Sequence, residues 1–208
     1  MRWVSIGALI AAGVLLAVFW GDVPDRWISH WGVHGPNGWA TKTPASAAIP
    51  LGIGLLSWLL FDVLAHGISR ATGGLPRELM AVVATVVRAV GLAIALVCAA
   101  LALALPLLQP RSSLPIAVGV PLVIGVVVGT AMVWAWRETH RLRANGVTLP
   151  EGYTGVFYSN PRDTRLWVPK LAGVGWTINF AHRRAWPVMI ALIGVPVALA
   201  ILIARLAR

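Results

Sequence analysis

Cysteine, acidic residues and charge in general are scarce in this sequence. Cys98 is the single cysteine in 208 residues, which excludes a disulfide framework and a cysteine-based metal site. Only 12% of the residues are charged, whereas an average soluble domain has about 25%. A chain that is 58% hydrophobic, with a mean hydropathy of +0.80, cannot bury its apolar surface within one water-facing domain. The composition therefore predicts an integral membrane protein.

Motifs of the common enzyme chemistries are also missing from the sequence. It contains no nucleophile elbow, phosphate-binding loop, zinc-protease motif or dinucleotide fingerprint. No residue pattern indicates a cofactor, and neither an internal repeat nor a low-complexity tract is present. The sequence by itself leaves open whether the protein is an enzyme.

Long apolar runs are what the chain has in abundance. Five of them, each close to the ~20 residues that cross a bilayer, occupy residues 4–20, 45–65, 89–108, 114–136 and 188–204. The first run is longer than a usual signal-peptide core and no small-residue cleavage site follows it, so it is interpreted as a retained span. The predicted fold class is an all-α integral membrane protein with about five transmembrane helices.

Two of these helices are predicted to extend beyond the bilayer. Gly74-Leu75-Pro76 is a helix-start signal, which predicts a third helix from Pro76 to about Leu108. The fourth helix is expected to continue past Trp136 and to stop at Asn145-Gly146. Both extensions lie on the side that we interpret as cytoplasmic.

The distribution of basic residues predicts the orientation. With the N-terminus inside, eleven Lys and Arg residues lie on the cytoplasmic side and five on the outer side. The formal net charge of +10 is therefore interpreted as the usual inner-side bias of a membrane protein rather than as a nucleic-acid surface. The expected partner is the lipid bilayer, with no nucleic acid.

Residues 20–42, between the first two spans, form a loop rich in tryptophan and histidine. They include four of the eleven tryptophans and two of the five histidines, and we expect a structured outer loop there. His30 and His34 could share a metal if they lay on a helix, but Gly32 and Gly35-Pro36 argue against a helix, so no metal site is predicted. The candidate ligand-binding residues are Trp27, His30, Trp31, His34, Trp39 and Lys42.

Asp62 and Arg88 are ionisable residues within predicted spans. Such residues are functional candidates by default, and pairing makes them tolerable in a bilayer. We predict an intramembrane ion pair between Asp62 and Arg88 that either locks two helices together or takes part in a proton or ion relay.

Residues 147–187 form the one long polar connection, too long for a bare linker. Residues 171–186 mix aromatic side chains with Arg183 and Arg184, which suits a short helix in the inner headgroup layer. An irregular loop with scattered aromatics is the alternative.

Two stretches of the chain resemble known families. Pro24, His30-Trp31, Gly35-Pro36, Trp39 and Lys42 resemble the domain of unknown function in SdpI-like bacterial membrane proteins, although Asn37 stands where that family commonly has an acid. Residues 160–180 are similar to a C-terminal domain found beside it in small membrane proteins of Gram-positive bacteria. The residues of this second, cytoplasmic motif are Asn160, Asp163, Arg165, Lys170, Trp176 and Asn179.

The resemblance implies a multi-pass protein of the bacterial plasma membrane, and the distribution of basic residues predicts a cytoplasmic N-terminus. Its predicted parts are an N-terminal helical hairpin (1–66) with an outer loop (20–44), helices 3 and 4 (67–146), and the inner loop with the last helix (147–208). The implied function is peptide-toxin immunity or signalling, with a peptide or lipid ligand at the outer loop and a cytoplasmic regulator at the inner one.

Two other functions remain open from the sequence. One is a membrane-embedded enzyme for a lipid or isoprenoid, with Asp22, Asp25 and His30 as catalytic candidates in an aromatic pocket. It would need a closed apolar cavity of ~300 Å³ or more with a carboxyl group at its end. The other is a structural subunit of a membrane assembly.

Overall fold

The fold is mostly helical, with short antiparallel strands in two of the connections. The computed structural model describes residues 1–32, 35–70, 76–148, 150–154, 157–170 and 175–206. Its helices are α1 (Arg2–Val18), α2 (Pro44–Arg70), α3 (Arg77–Leu103, continued by the π-helical turn Ala104–Leu108), α4 (Leu114–Ala144) and α5 (Ala185–Leu206). Its strands are β1 (Arg26–Gly32), β2 (Gly35–Thr41), β3 (Tyr153–Thr154), β4 (Phe157–Tyr158), β5 (Trp167–Pro169) and β6 (Trp176–Ile178).

Three helices in the described part of the chain are long and apolar enough to cross a membrane. They are Pro44–Arg70, Arg77–Leu108 and Leu114–Ala144, which contain the second, third and fourth predicted spans. Helix α1 has 17 residues and so is about 26 Å long, slightly less than the ~30 Å of a hydrocarbon core. Bilayer crossing by α1 and α5 stays a prediction.

The predicted ends of two helices are confirmed. Helix α3 begins at Arg77, directly after Pro76, and helical structure continues to Leu108. Helix α4 ends at Ala144, where Gly146 has a φ of +82° and donates its backbone N–H to the carbonyl of Arg143. A glycine in the left-handed region is a common way to end a helix, since it satisfies the last carbonyls without a Cβ clash.

The described chain falls into two compact units. The first consists of Met1–Gly67 and Ala84–Ala131, with a core in which Leu9 and Ala12 of α1 pack against Ala95 and Ala99 of α3. Gly54 of α2 permits this packing: a Cβ at that position would lie 2.8 Å from both Cys98 Cβ and Leu9 Cδ2. Three helices therefore approach one another closely at a single glycine.

The second unit consists of Ile68–Val83 and Met132–Arg208. It contains two small hairpins, β3–β4 and β5–β6, and Tyr158 of β4 forms a parallel bridge with Asn179 just after β6. The side chains of Val168, Ile178 and Asn179 are buried there. Part of the predicted inner loop is therefore a compact fold whose core includes the polar side chain of Asn179.

The structure corrects two sequence-based expectations. The predicted all-α class holds in the coarser form of a mostly helical fold, because the described residues also form the two-stranded sheets β1–β2, β3–β4 and β5–β6. No helix spans the described part of residues 171–186: residues 176–178 are a strand, turns follow, and α5 begins at Ala185. Two features explain this: Gly175 has a φ of +115°, and the Asn179 side chain bonds backbone groups of Asn160, which lies far away in sequence.

Candidate functional site

The tryptophan-rich loop folds into the β1–β2 hairpin, which is anchored in the first unit. Strand β1 pairs antiparallel with β2, with Trp27 opposite Ala40 and Ile28 opposite Trp39. Trp27 is only 3% exposed and packs with Leu16, Val23 and Ala47. Trp27 is therefore part of the core in this structure, and a ligand arriving from solvent would not reach it.

His30 lies on the exposed part of the hairpin. Its Nδ1 is 2.5 Å from Oδ1 of Asn37, so the imidazole donates from Nδ1 to the amide oxygen. Opposite His30 is Gly38, where a Cβ would come within 2.7 Å of His30 Cβ. Glycine at position 38 therefore permits the close approach of the two strands at the imidazole.

Lys42 fastens the base of the hairpin. Its Nζ donates to the carbonyl oxygen of Val23 over 2.6 Å and lies 5.5 Å from the ring centroid of Trp20. Its backbone N–H donates to the carbonyl of Asp25. These contacts assign Lys42 a structural task, because its charge is already engaged by a carbonyl and an aromatic face.

Trp39 is the exposed tryptophan of the hairpin and is the one placed to meet another molecule. The Trp39 side chain is 57% exposed although it is large and apolar. Trp31 is partly buried, and its Nε1 has no hydrogen-bond acceptor among the described residues. His34 lies outside the described residues.

A groove of about 420 Å³ lies between α1 and α2 near the base of the hairpin. Its lining is apolar and includes Trp20, Leu16 and Leu51, with no carboxyl group. Asp22 and Asp25, the acids proposed for the enzyme alternative, are both solvent-exposed. Among the described residues no group of three or more His, Cys, Asp and Glu side chains is placed to hold a metal.

Asp62 and Arg88 are brought together, and Arg2 joins them. Arg88 Nε lies 3.2 Å and Arg2 Nε 2.6 Å from the same oxygen, Oδ1 of Asp62. A cavity of about 10 Å³, room for one water molecule, adjoins the three side chains and is also lined by Ser5 and Trp58. The cluster therefore ties α1, α2 and α3 together through one carboxylate.

In the second unit, Asn160, Asp163 and Asn179 form a buried hydrogen-bond network. The Asn179 side chain is fully buried, and its Oδ1 accepts the backbone N–H groups of Asn160 and Ala181. Its Nδ2 donates to the carbonyl oxygens of Asn160 and Asp163, each over 2.9 Å. The side-chain amide of Asn179, the residue after β6, thus holds the loop between β4 and β5 in place.

Asp163 accepts hydrogen bonds from two neighbours. Arg165 Nη2 lies 2.8 Å from Oδ2, the Arg165 backbone N–H donates to Oδ1, and the Tyr158 hydroxyl donates to Oδ2. The Arg165 guanidinium, followed by these two donors, holds the pKa of Asp163 well below its usual range. Burial, and then the bond to Asp163, raises the pKa of Tyr158. Asp163 is therefore a charged acceptor at physiological pH and is not suited to act as a general acid.

The two other residues of the cytoplasmic motif lie apart from this network. Lys170 is exposed, and its backbone N–H donates to the carbonyl of Gly175 to close the β5–β6 hairpin. Trp176 is 63% exposed. They belong to a solvent-facing surface rather than to a pocket.

Sequence reasoning missed several partners of the predicted residues. These partners are Arg2 at Asp62, Asn37 at His30 and Tyr158 at Asp163. The sequence does contain a signal for the contact between His30 and Asn37. If residues 26–41 form a hairpin with Gly32 opposite Gly35, positions 30 and 37 lie nearly opposite each other on the two strands. No sequence signal pointed to Arg2 or Tyr158.

Fold and site define a mostly helical protein whose apolar helices are compatible with a membrane protein. A family of unknown function (DUF5808) matches residues 161–186, the segment that contains Asp163, Trp176 and Asn179. No curated protein and no solved structure matches the chain. The similarity of the C-terminal stretch to a known domain thus has independent support, whereas the SdpI-like resemblance of the outer loop stays a prediction.

Proposed function

We propose that this chain is a small multi-pass protein of the bacterial plasma membrane that binds a peptide at the β1–β2 hairpin, as an immunity or signalling protein against secreted peptides. The supporting observation is the exposed indole of Trp39 on a hairpin whose other side is fixed in the core by Trp27. Exposed tryptophans on rigid supports are frequent anchors of binding interfaces.

Two features of the hairpin favour a peptide over a lipid as the ligand. Strand β2 has mostly exposed or partly exposed side chains, so an extended peptide could align with it. The His30–Asn37 pair adds a polar group beside these apolar contacts.

The enzyme alternative has less support from the geometry. The 420 Å³ groove has no carboxyl group in its lining, and the small cavity beside Asp62 is far below the volume of a lipid or isoprenoid. No described feature favours a purely structural subunit. A cytoplasmic regulator that contacts residues 147–187 remains part of the proposal.

The test of ligand binding compares two exposed tryptophans. A strain lacking the protein is complemented with wild type, Trp39→Ala, His30→Ala or Trp3→Ala and challenged with a panel of secreted membrane-active peptides. Trp3, on α1, is 84% exposed and lies outside the hairpin, so it is the matched control. For a peptide against which wild type protects, we expect Trp39→Ala to weaken binding by roughly thirtyfold, as the loss of an interface anchor does.

Expression level and thermal stability of each variant are measured alongside resistance. Protection by Trp39→Ala equal to that by Trp3→Ala would contradict a ligand site on the hairpin. If the variants change resistance to membrane-active lipids and to none of the peptides, the ligand of the hairpin is a lipid.

The proposed orientation has its own test. Ser29 of β1 and Ser159 after β4 are both exposed, and each can be changed to cysteine in a Cys98→Ala background. In intact cells a membrane-impermeant maleimide should label Ser29→Cys and leave Ser159→Cys unlabelled until the cells are opened, because the hairpin faces outward and the basic segment inward. Equal labelling of both positions in intact cells would refute this orientation.

A further inference from the structure

The β5–β6 hairpin presents an exposed aromatic surface. Its register places Trp167 opposite Ile178 and Pro169 opposite Trp176, so these four side chains share one face of the two-stranded sheet. Ile178 is buried at one end of that face, whereas Trp167 is 45% and Trp176 63% exposed. Val168, on the opposite face, is 1% exposed and belongs to the core of the unit. We call the surface formed by Trp167, Pro169 and Trp176 the tryptophan face.

The second unit does not itself cover the indoles of the tryptophan face. An indole contributes about 200 Å² of largely apolar surface, and two of them remain 45% and 63% exposed on one short hairpin. Trp186, in the first turn of the apolar helix α5, is likewise 63% exposed. Tryptophan is the residue type that concentrates at the level of lipid headgroups, where its apolar ring and polar N–H are both accommodated.

Several basic residues that form no ion pair with a described residue lie close in sequence to Trp167 and Trp176. Arg162, Lys170, Arg183 and Arg184 are exposed, and none of them forms a salt bridge with a described residue. Arg165 is different, because Asp163 already neutralises it. The segment therefore combines exposed indoles with uncompensated positive charge, the chemistry that binds an anionic lipid surface.

Chain connectivity limits what can cover the tryptophan face. Residues 145–184 are held between α4 and α5, and Arg183-Arg184 come directly before the apolar run of α5. If α4 and α5 lie in a bilayer, the hairpin is tethered within reach of the headgroup layer at both of its ends.

From these observations we infer that the tryptophan face docks on the anionic headgroup layer of the membrane in which the protein resides. The indoles of Trp167 and Trp176 enter the interface, and Lys170, Arg183 and Arg184 meet lipid phosphates. This inference goes beyond the proposed peptide-binding function, which it neither requires nor supports. It replaces the interfacial helix expected from the sequence with the face of a β-hairpin.

The experiment uses full-length protein in lipid nanodiscs with a fluorescent label at one of two positions. Pro169→Cys lies on the tryptophan face, and Thr164→Cys lies in the exposed turn that precedes Arg165, each in a Cys98→Ala background. Both are labelled with bimane in discs of phosphatidylcholine, with or without one third phosphatidylglycerol. Headgroup-labelled nitroxide lipids report proximity to the membrane surface.

We expect nitroxide lipids to quench the label at position 169 about threefold more than at position 164, and to do so most strongly with phosphatidylglycerol and low salt. The double variant Trp167→Ala/Trp176→Ala should lower quenching at position 169 to that at position 164. Arg183→Gln/Arg184→Gln should remove the dependence on phosphatidylglycerol. Since all four side chains are exposed, trypsin should cleave after Arg162 and Arg165, which every variant retains, as slowly as in wild type, and this shows that the unit remains folded.

Three results would overturn the inference. Equal quenching at both positions would show that the tryptophan face does not meet the membrane. Unequal quenching that ignores lipid charge and salt would remove the anionic partner. Protection of the label at position 169 from aqueous quenchers without quenching by nitroxide lipids would show that protein covers the face instead.

Discussion

Replacing Asn179 by alanine is expected to unfold the small fold between α4 and α5 while leaving the long helices intact. The change removes an acceptor for two backbone N–H groups and a donor to two carbonyl oxygens. Asn179 is fully buried, so water cannot readily replace these bonds. Each buried polar group left without a partner costs ~1–3 kcal/mol. The free energy of unfolding of this small fold should therefore fall by about 3 kcal/mol or more.

Limited proteolysis of the folded protein measures this effect more directly than a melting curve, which the helices would dominate. Trypsin should cleave Asn179→Ala after Arg162 and Arg165 much faster than wild type, since these exposed arginines flank the network. Asn160→Ala is the matched control: it loses one side-chain acceptor for the Arg162 N–H but keeps the backbone groups that Asn179 binds. Equal cleavage of the two variants would show that Asn179 does not hold the unit together.

Replacing Asp62 by asparagine should destabilise the first unit. Asp62 is the shared partner of Arg2 and Arg88, and its neutralisation leaves two guanidinium groups facing each other. Breaking a buried pair from one side costs ~3–5 kcal/mol, and partial exposure of the arginines reduces this to roughly 2 kcal/mol. Thermal unfolding of the purified protein in detergent or nanodiscs measures the change.

The three members of the cluster should not contribute equally. Arg2→Gln should cost least, because Arg2 is 49% exposed and Asp62 keeps Arg88. The double variant Asp62→Asn/Arg88→Gln should recover part of the loss of the single variant, since the surplus positive charge is then smaller. If Asp62→Asn is as stable as Arg2→Gln, the cluster is not what fixes the three helices, and a relay role for Asp62 gains weight.

The sequence predicted those parts of the fold that depend on long apolar runs and on local end signals. Runs of apolar residues located α2, α3 and α4, and Pro76 and Gly146 marked a start and a stop. Ion pairing of Asp62 with Arg88 was also predictable, because a charge within an apolar helix requires a partner. Arg2 could not be predicted as a third member, since its distance from Asp62 depends on how α1 packs.

The short strands were beyond the same reasoning. Residues 176–178 give too short a pattern to separate strand from helix, and the contact that decides, between Asn179 and Asn160, links positions far apart in sequence. In the outer loop, the sequence indicated aromatic and histidine side chains but not which of them would be buried. The pairing of Trp27 with Ala40 and of Ile28 with Trp39 puts the two tryptophans on opposite faces of the hairpin, and Trp27 lies in the core whereas Trp39 lies at the surface.

The docking of β1 on the π-helical turn Ala104–Leu108 gives the hairpin a mechanical connection to the end of α3. The hairpin is held at its base by Lys42 and contacts this turn. A bound molecule that displaces Trp39 would therefore displace the point where α3 departs from regular α-helical geometry. The turn is followed by Gln109, whose φ of +45° makes it a strained joint that can yield. Any molecule that binds the hairpin would therefore act on α3 through this turn, and on α1 and α2 through Trp27, which packs against Leu16 and Ala47.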